Sequence, residues 1–191
     1  MDNRKRAVAW GMVVSFLMAM VLSFFSVPGF ARAEGETEYR SGVYTYTVNA
    51  DGGAVITKYS GDGRSVVIPE KLDGHPVREI GDMAFSWRKN LTSVTLLEGL
   101  TTIGNSAFYD CGSLASVTLP EGLTAIEDYA FSSCRRLASI TLPDSLSAIG
   151  ANPFQGSPTQ ITISPDHPHF AVLDGVLYDK ADRKLVAYPY A

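Results

Sequence analysis

The sequence predicts an α/β solenoid: stacked coils, each with a short strand of a parallel β-sheet on one face and a short helical or 3₁₀ turn on the other. Three observations predict it. The 23-residue stretch Leu91–Ser113 is followed at once by a second copy, Leu114–Arg136. Thirteen of the 23 aligned positions are identical, and they are the apolar and turn positions that a fold requires. The register also continues outside the pair, because Phe85, Phe108, Phe131 and Phe154 are each 23 apart, as are Ile80, Ile103, Ile126 and Ile149. Self-similarity at a fixed period of roughly 20 to 50 residues marks units that cannot bury an apolar face alone and must stack to do so.

Within one unit the side chains divide by face. Leu91, Val94 and Leu96 alternate with Ser93 and Thr95, as a strand with one buried face requires. Leu97-Glu98-Gly99 then turns the chain, and its copies Pro120-Glu121-Gly122 and Pro143-Asp144-Ser145 place proline where a strand ends. Leu100 and Ile103 fill the next side. Asn105–Cys111 is expected to make the helical or 3₁₀ turn, with Ala107, Phe108 and Cys111 facing inward.

The run L-x-x-V-T-L-P-E-G-L-T-x-I-G-x-x-A-F-x-x-C, read from these copies, resembles the BspA-like branch of leucine-rich repeats. The resemblance covers about Tyr44 to Tyr188. It implies a right-handed solenoid with a parallel sheet on one face, and roles in adhesion and protein binding at bacterial surfaces. It implies no shared catalytic site, since the motif is structural.

From the N-terminus, residues 1–33 read as a signal peptide. Arg4, Lys5 and Arg6 form a basic head, Trp10–Val27 is an uncharged apolar run, and Ala31-Arg32-Ala33 supplies small residues for cleavage. The run is also long enough to span a bilayer if retained as an anchor, and both readings export the rest of the chain. Removing it takes four of the 16 basic and one of the 20 acidic residues, leaving 158 residues with a formal charge of −7. That balance disfavours nucleic acid as a partner. Membrane attachment is expected only through an uncleaved leader.

Residues 34–42 form a polar leader without periodicity. Residues 43–62 are expected to be an N-terminal β-hairpin cap: Val43–Val48 alternates, Asn49–Gly53 turns and Ala54–Tyr59 resumes. Such a cap covers a terminal strand that would otherwise invite aggregation. The solenoid occupies 63–165, opening with Val66–Ile68 and interrupted by an insertion at Leu72–Pro76. Its last strand, Ile161–Ile163, arrives two residues early, with Pro153 and Pro158 replacing Ala and Leu. Residues 166–191 are expected to form a C-terminal β-hairpin cap, with Asp174-Gly175 at a tight turn.

Candidate chemistry is sparse. Cys111 and Cys134 occupy one slot in adjacent units, and parallel Cβ vectors favour buried free thiols over a disulfide. His167 and His169 lack the third ligand of a zinc site and are assigned to a solvated loop, and His75 has no assigned role. Tyr44, Tyr46 and Tyr59 read as packing in strands rather than a ligand platform. Glu121 and Asp144 recur by period along a solvated edge. No G-x-S-x-G, phosphate loop, dinucleotide fingerprint or EF-hand pattern occurs. The sequence therefore points away from an enzyme, and no cofactor or metal is expected.

What remains is the outward face of the sheet. Ser93, Thr95, Ser116, Thr118, Ser139, Thr141, Gln160 and Thr162 form the candidate protein-binding strip. Strands of about four residues at ~3.3 Å, stacked at ~4.8 Å, give a face of roughly 300 Å², whereas a standard interface takes about 800 Å² per partner. Binding would have to recruit the loops at Leu72–Pro76 and Asp166–His169, or gain strength from many copies. The expected function is an exported, non-enzymatic module binding extracellular or host proteins. The alternatives are a structural spacer or fragment of a larger surface protein, and a cell-wall carbohydrate binder, which the sequence leaves short of exposed aromatic residues.

Overall fold

The computed structural model describes residues 37–187. The signal-peptide assignment, residues 1–33, and the start of the polar leader lie outside them. Among the described residues the elements are β1 (Tyr39–Ser41), β2 (Tyr44–Val48), β3 (Ala54–Tyr59), β4 (Ser65–Val67), β5 (Lys71–Leu72), β6 (His75–Ile80), β7 (Ser93–Thr95), β8 (Thr102–Ile103), β9 (Ser116–Thr118), β10 (Ala125–Ile126), β11 (Ser139–Thr141), β12 (Ala148–Ile149), β13 (Gln160–Thr162), β14 (Phe170–Leu173), β15 (Val176–Asp179) and β16 (Leu185–Ala187). None of them is a helix.

Each coil has three sides. The first carries β4, β7, β9, β11 and β13, with parallel ladders β4-β7-β9 and β11-β13. The second carries an unbroken parallel run β3-β6-β8-β10-β12. Equivalent residues pair across coils on both sides: Val66, Val94 and Val117 on one, Ile80, Ile103, Ile126 and Ile149 on the other. The 23-residue period produces this register from Val94 and from Ile80 onward, while Val66 and Val94 align across the longer first coil that carries the insertion.

The third side corrects the expectation of helical or 3₁₀ turns, so the fold is a β-solenoid rather than α/β. Alternate amides there serve two different ladders. The N–H groups of Ser106, Phe108 and Asp110 donate to the carbonyls of Asp128, Ala130 and Ser132 in the next coil, at 2.8, 2.8 and 2.9 Å. Those of Ala107, Tyr109 and Cys111 close turns on Gly104, Ser106 and Phe108, three residues back. Reversing every second peptide requires left-handed residues, and they recur by period: Met83, Ser106, Tyr129 and Asn152 at one slot, Trp87, Asp110, Ser133 and Gly156 at another. Each non-glycine residue held there costs about 1 kcal/mol or more, offset by amides that bond to the neighbouring coil rather than remaining unpaired. The same pattern explains Pro153. Its slot, shared with Ala84, Ala107 and Ala130, directs its N–H only into its own coil's turn, while the Pro153 carbonyl still accepts from Phe131 at 2.8 Å.

The core runs along the stack as columns. Tyr59, Phe85, Phe108, Phe131 and Phe154 stack with centroids 4.7, 5.1, 5.2 and 5.8 Å apart. The three central rings are fully buried. Stacked pairs add about 0.5–1.5 kcal/mol each beyond the area they bury.

At the N-terminal end, β1, β2 and β3 pair antiparallel, and β3 then joins β6 in parallel. Strand β1 falls within the stretch read as a polar leader without periodicity; Tyr39 stacks on Tyr46 at 5.5 Å. The Leu72–Pro76 insertion forms a tight hairpin between β5 and β6, with Asp73 and Gly74 at positive φ. At the far end β14, β15 and β16 form a separate antiparallel sheet.

Candidate functional site

The eight strip residues come together as the outward positions of β7, β9, β11 and β13. Ser93 aligns with Ser116 and Thr95 with Thr118; Ser139 aligns with Gln160 and Thr141 with Thr162. Alternation puts Val94, Ile140 and Ile161 into the core and these polar side chains outward. Ser93 and Thr95 are half-buried and the other six exposed. Among these eight side chains only Ser93 makes a hydrogen bond, donating to Ser65 Oγ at 2.8 Å. The side chains of the remaining seven have no hydrogen-bond partner among the described residues.

The strip differs from a uniform ladder in two ways. It extends one coil further toward the N-terminus, through Ser65 and the 57% exposed Val67, which the alignment of β4 with β7 places in line. Sequence reasoning passed over these because Ser-Val-Val lacks the Ser-x-Thr signature. The sheet is also divided: β9 and β11 do not pair, so Val94 and Val117 belong to one ladder and Ile140 to another. All three still pack on one apolar core. At the division Ser116, Thr118, Ser139 and Thr141 border a depression of about 290 Å³ whose floor includes Val117 and Ile140. A second depression, about 470 Å³, lies between β13 and β14, where Gln160 and Thr162 meet Val172 and the 63% exposed Leu173.

Hydroxyls just before the strands behave differently: on the first side Thr92 Oγ1 donates to the Arg64 carbonyl at 2.8 Å and Thr159 Oγ1 to the Leu137 carbonyl at 2.9 Å. On the second side Thr101 Oγ1 donates to the Arg78 carbonyl, Thr124 Oγ1 to Thr101 and Ser147 Oγ to Thr124, at 3.0, 3.0 and 3.3 Å. Asp82 and Asp128 each accept a backbone N–H from the next coil, of Asn105 at 2.8 Å and Ala151 at 2.6 Å. These polar groups fasten coil to coil.

The cysteines are free and fully buried, as their slot predicts. Cys111 Sγ donates to the Phe85 carbonyl at 3.1 Å and Cys134 Sγ to Phe108 at 3.2 Å. Ser157, next in the slot, does the same to Phe131 at 2.8 Å. Burial pushes the Cys111 thiol up to about 11 and raises Cys134 further. Such thiols are poor nucleophiles. Tyr46 and Tyr59 are buried, while half-burial lifts the Tyr44 phenol to about 12.

Two assignments require correction. His167 does not lie in a solvated loop but is fully buried: its Nδ1 accepts the N–H groups of His169 and Phe170, at 3.2 and 3.1 Å. That makes Nε2 the donor to the Pro143 carbonyl, at 3.0 Å. The ring thus clips the final loop to the preceding coil, while His169 is exposed. The Leu72–Pro76 insertion is held against the N-terminal strands. Asp73 accepts from Ser41 Oγ and Tyr46 Oη, and His75 Nδ1 lies 3.1 Å from the Gly52 carbonyl. Finally, exposed aromatic residues are present: Trp87 is 52% exposed and Tyr129 38%. No cluster of three metal-ligating side chains occurs among the described residues, nor does a helix long and apolar enough to cross a membrane.

Short parallel strands in 23-residue register, with apolar columns inside and a polar outward strip, define a repeat solenoid of the leucine-rich type. The model of the BspA-type leucine-rich-repeat region matches residues 59–168 in six copies, and the chain belongs to that family. A solved leucine-rich-repeat protein from Bacteroides capillosus is 32% identical over 68% of this chain and 99% of its own, with a TM-score of 0.61. The Treponema pallidum leucine-rich-repeat protein (TpLRR) is 31% identical over 62% of this chain and 67% of its own, TM-score 0.54. The pneumococcal vaccine antigen PcpA shares the fold at 19% identity, covering 82% of this chain and 57% of its own, TM-score 0.58. None of the curated proteins is a match.

Proposed function

We propose that this chain is an exported, non-enzymatic module that binds extracellular or host proteins at or outside the bacterial surface. The contact face is the strip Ser93, Thr95, Ser116, Thr118, Ser139, Thr141, Gln160 and Thr162. One observation carries the reading: seven of these eight aligned polar side chains engage no group among the described residues, whereas the hydroxyls just before the strands, Thr92, Thr101, Thr124, Ser147 and Thr159, each bond to the preceding coil. Family membership supports a binding rather than a catalytic role. The depressions beside the strip enlarge it beyond a flat sheet, and exposed Leu173 gives it an apolar anchor of the kind protein partners use. The basic head and apolar run of residues 1–33 support export. The hairpins at 43–62 and 166–191 serve as caps, a role consistent with the antiparallel pairing of their strands.

The test is capture of matrix proteins from host cells by the immobilised full-length chain. Thr118→Arg with Thr141→Arg should abolish capture by filling the depression with two cations, while Thr124→Arg on the neighbouring side should leave it unchanged. Retention of every interaction by the strip variant would discard the strip.

A further inference from the structure

The first coil departs from its copies at one slot of its turn side. The left-handed position held by Asp110, Ser133 and Gly156 in later coils is held there by Trp87, at φ 60°. Glycine and aspartate suit that conformation, whereas a bulky aromatic residue is an outlier in it. Burial does not offset the strain, because Trp87 is 52% exposed and its ring meets Tyr109 only edge-on, at 5.9 Å and 78°. Backbone periodicity explains the left-handed turn; it leaves the choice of tryptophan unexplained.

Trp87 is among the residues lining a cavity of about 260 Å³ between the Ser60–Gly63 loop and Arg88–Asn90. Arg88 forms a fixed cationic wall: its guanidinium donates to the Tyr59 carbonyl and lies 5.7 Å from the Tyr59 ring centroid. Lys89 is occupied by Asp110 at 2.7 Å. Asp62 and Asn90, both exposed at the cavity, have no hydrogen-bond or ion-pair partner among the described residues. The cavity therefore offers a flat apolar ring beside an unengaged carboxylate, an unengaged amide and a cation. Its volume lies just below the roughly 300–1,000 Å³ of drug-sized ligand sites, which suits a single ring.

We propose that Trp87, Asp62 and Asn90 form a subsite for one neutral pyranose unit of a glycan. The C–H face of the sugar lies on the indole, whose ring face carries negative potential. One ring hydroxyl donates to Asp62 and another accepts from Asn90. A bare proline or aromatic ring would also stack on the indole, but carries no hydroxyls of its own to engage Asp62 and Asn90. Charges of both signs around the cavity favour a neutral ligand over an ionic one. The site lies outside the strip and does not rest on the protein-binding reading.

Trp10 and Trp87 are the two tryptophans of the chain, so Trp10→Phe leaves Trp87 as sole reporter. Its emission is titrated with methyl glucoside, methyl galactoside, methyl mannoside and N-acetylglucosamine at millimolar concentrations. A saturable change is expected with at least one, weakened roughly tenfold or more by Asp62→Ala and by Asn90→Ala. Thr118→Arg should leave it unaltered. Calorimetry on Trp87→Asn, whose new side chain tolerates the left-handed turn, should show the heat of binding lost while the circular dichroism spectrum is retained. The proposal is overturned by absence of saturation with all four sugars, by undiminished heat in Trp87→Asn, or by a proline-rich peptide saturating the signal where the sugars do not.

Discussion

Hydroxyls just before the strands and hydroxyls within the first-side strands serve opposite ends with the same residue types. Just before the strands, hydroxyls of Thr101, Thr124 and Ser147 on the second side and of Thr92 and Thr159 on the first reach back to a carbonyl of the preceding coil, and the second-side ladder β3-β6-β8-β10-β12 is continuous. On the first side, the hydroxyls of Thr95, Thr118, Thr141 and Thr162 engage nothing among the described residues, and the ladder parts between β9 and β11. A threonine on an exposed strand is therefore not diagnostic in itself. What separates a fastening hydroxyl from one available to a ligand is whether the backbone of the neighbouring coil lies within its reach.

The strongest way to break the comparison is to remove what both sides share. Phe108 is fully buried between Phe85 and Phe131, and Phe108→Ala should cost about 3–5 kcal/mol in urea unfolding. A loss below about 1 kcal/mol, the scale of surface changes, would mean that the columns do not form one core.

Alkaline pH probes the same interior with a smaller effect. The folded chain holds the Cys111 proton up to about 11, whereas an exposed thiol releases it near 9.0. Above pH 9 the unfolded chain has therefore lost protons that the folded chain retains, and stability falls as pH rises through 11. The full loss from Cys111 is on the order of 2–3 kcal/mol, and Cys134 acts in the same direction. Urea midpoints between pH 8 and 11 measure it, and Cys111→Ala with Cys134→Ala should make the profile shallower, leaving the slope of the Tyr44 and Tyr46 phenols, which burial also raises.

The smallest pair sharpens the contrast itself. Thr124→Val removes a hydroxyl that donates to the Thr101 carbonyl and should cost about 0.5–1.5 kcal/mol. Thr118→Val removes one that bonds to nothing among the described residues and should stay within about ±0.5 kcal/mol. Equal losses in thermal melts would erase the distinction between the two positions.

The apolar columns were legible in the sequence because a buried position tolerates few residue types, so Phe85 to Phe154 and Ile80 to Ile149 repeat visibly. The cysteine slot was legible for the same reason. The turn side was not, because its determinant is backbone conformation. Its left-handed slots hold Met83, Ser106, Tyr129 and Asn152, which share no side-chain property, and Ala-Phe-x-x-Cys suits a helical turn equally well. Burial of His167 was hidden because it depends on the Pro143 carbonyl, 24 residues away. Of the strip, the alignment of the eight residues was readable; the parting of β9 from β11 has no counterpart in the 23-residue spacing of Val94, Val117 and Ile140.

Excision of Leu114–Arg136 tests most directly whether successive coils are interchangeable units. Leu137 would then follow Ser113, and every inter-coil position keeps its register. The shortened chain should fold cooperatively, retain β-sheet circular dichroism and melt lower than the parent, because one unit and one interface have been removed. Removing 12 residues from the same coil should unfold it, since the columns would no longer align. If the 23-residue excision abolished folding as completely as the 12-residue one, the stacked-coil account would be contradicted.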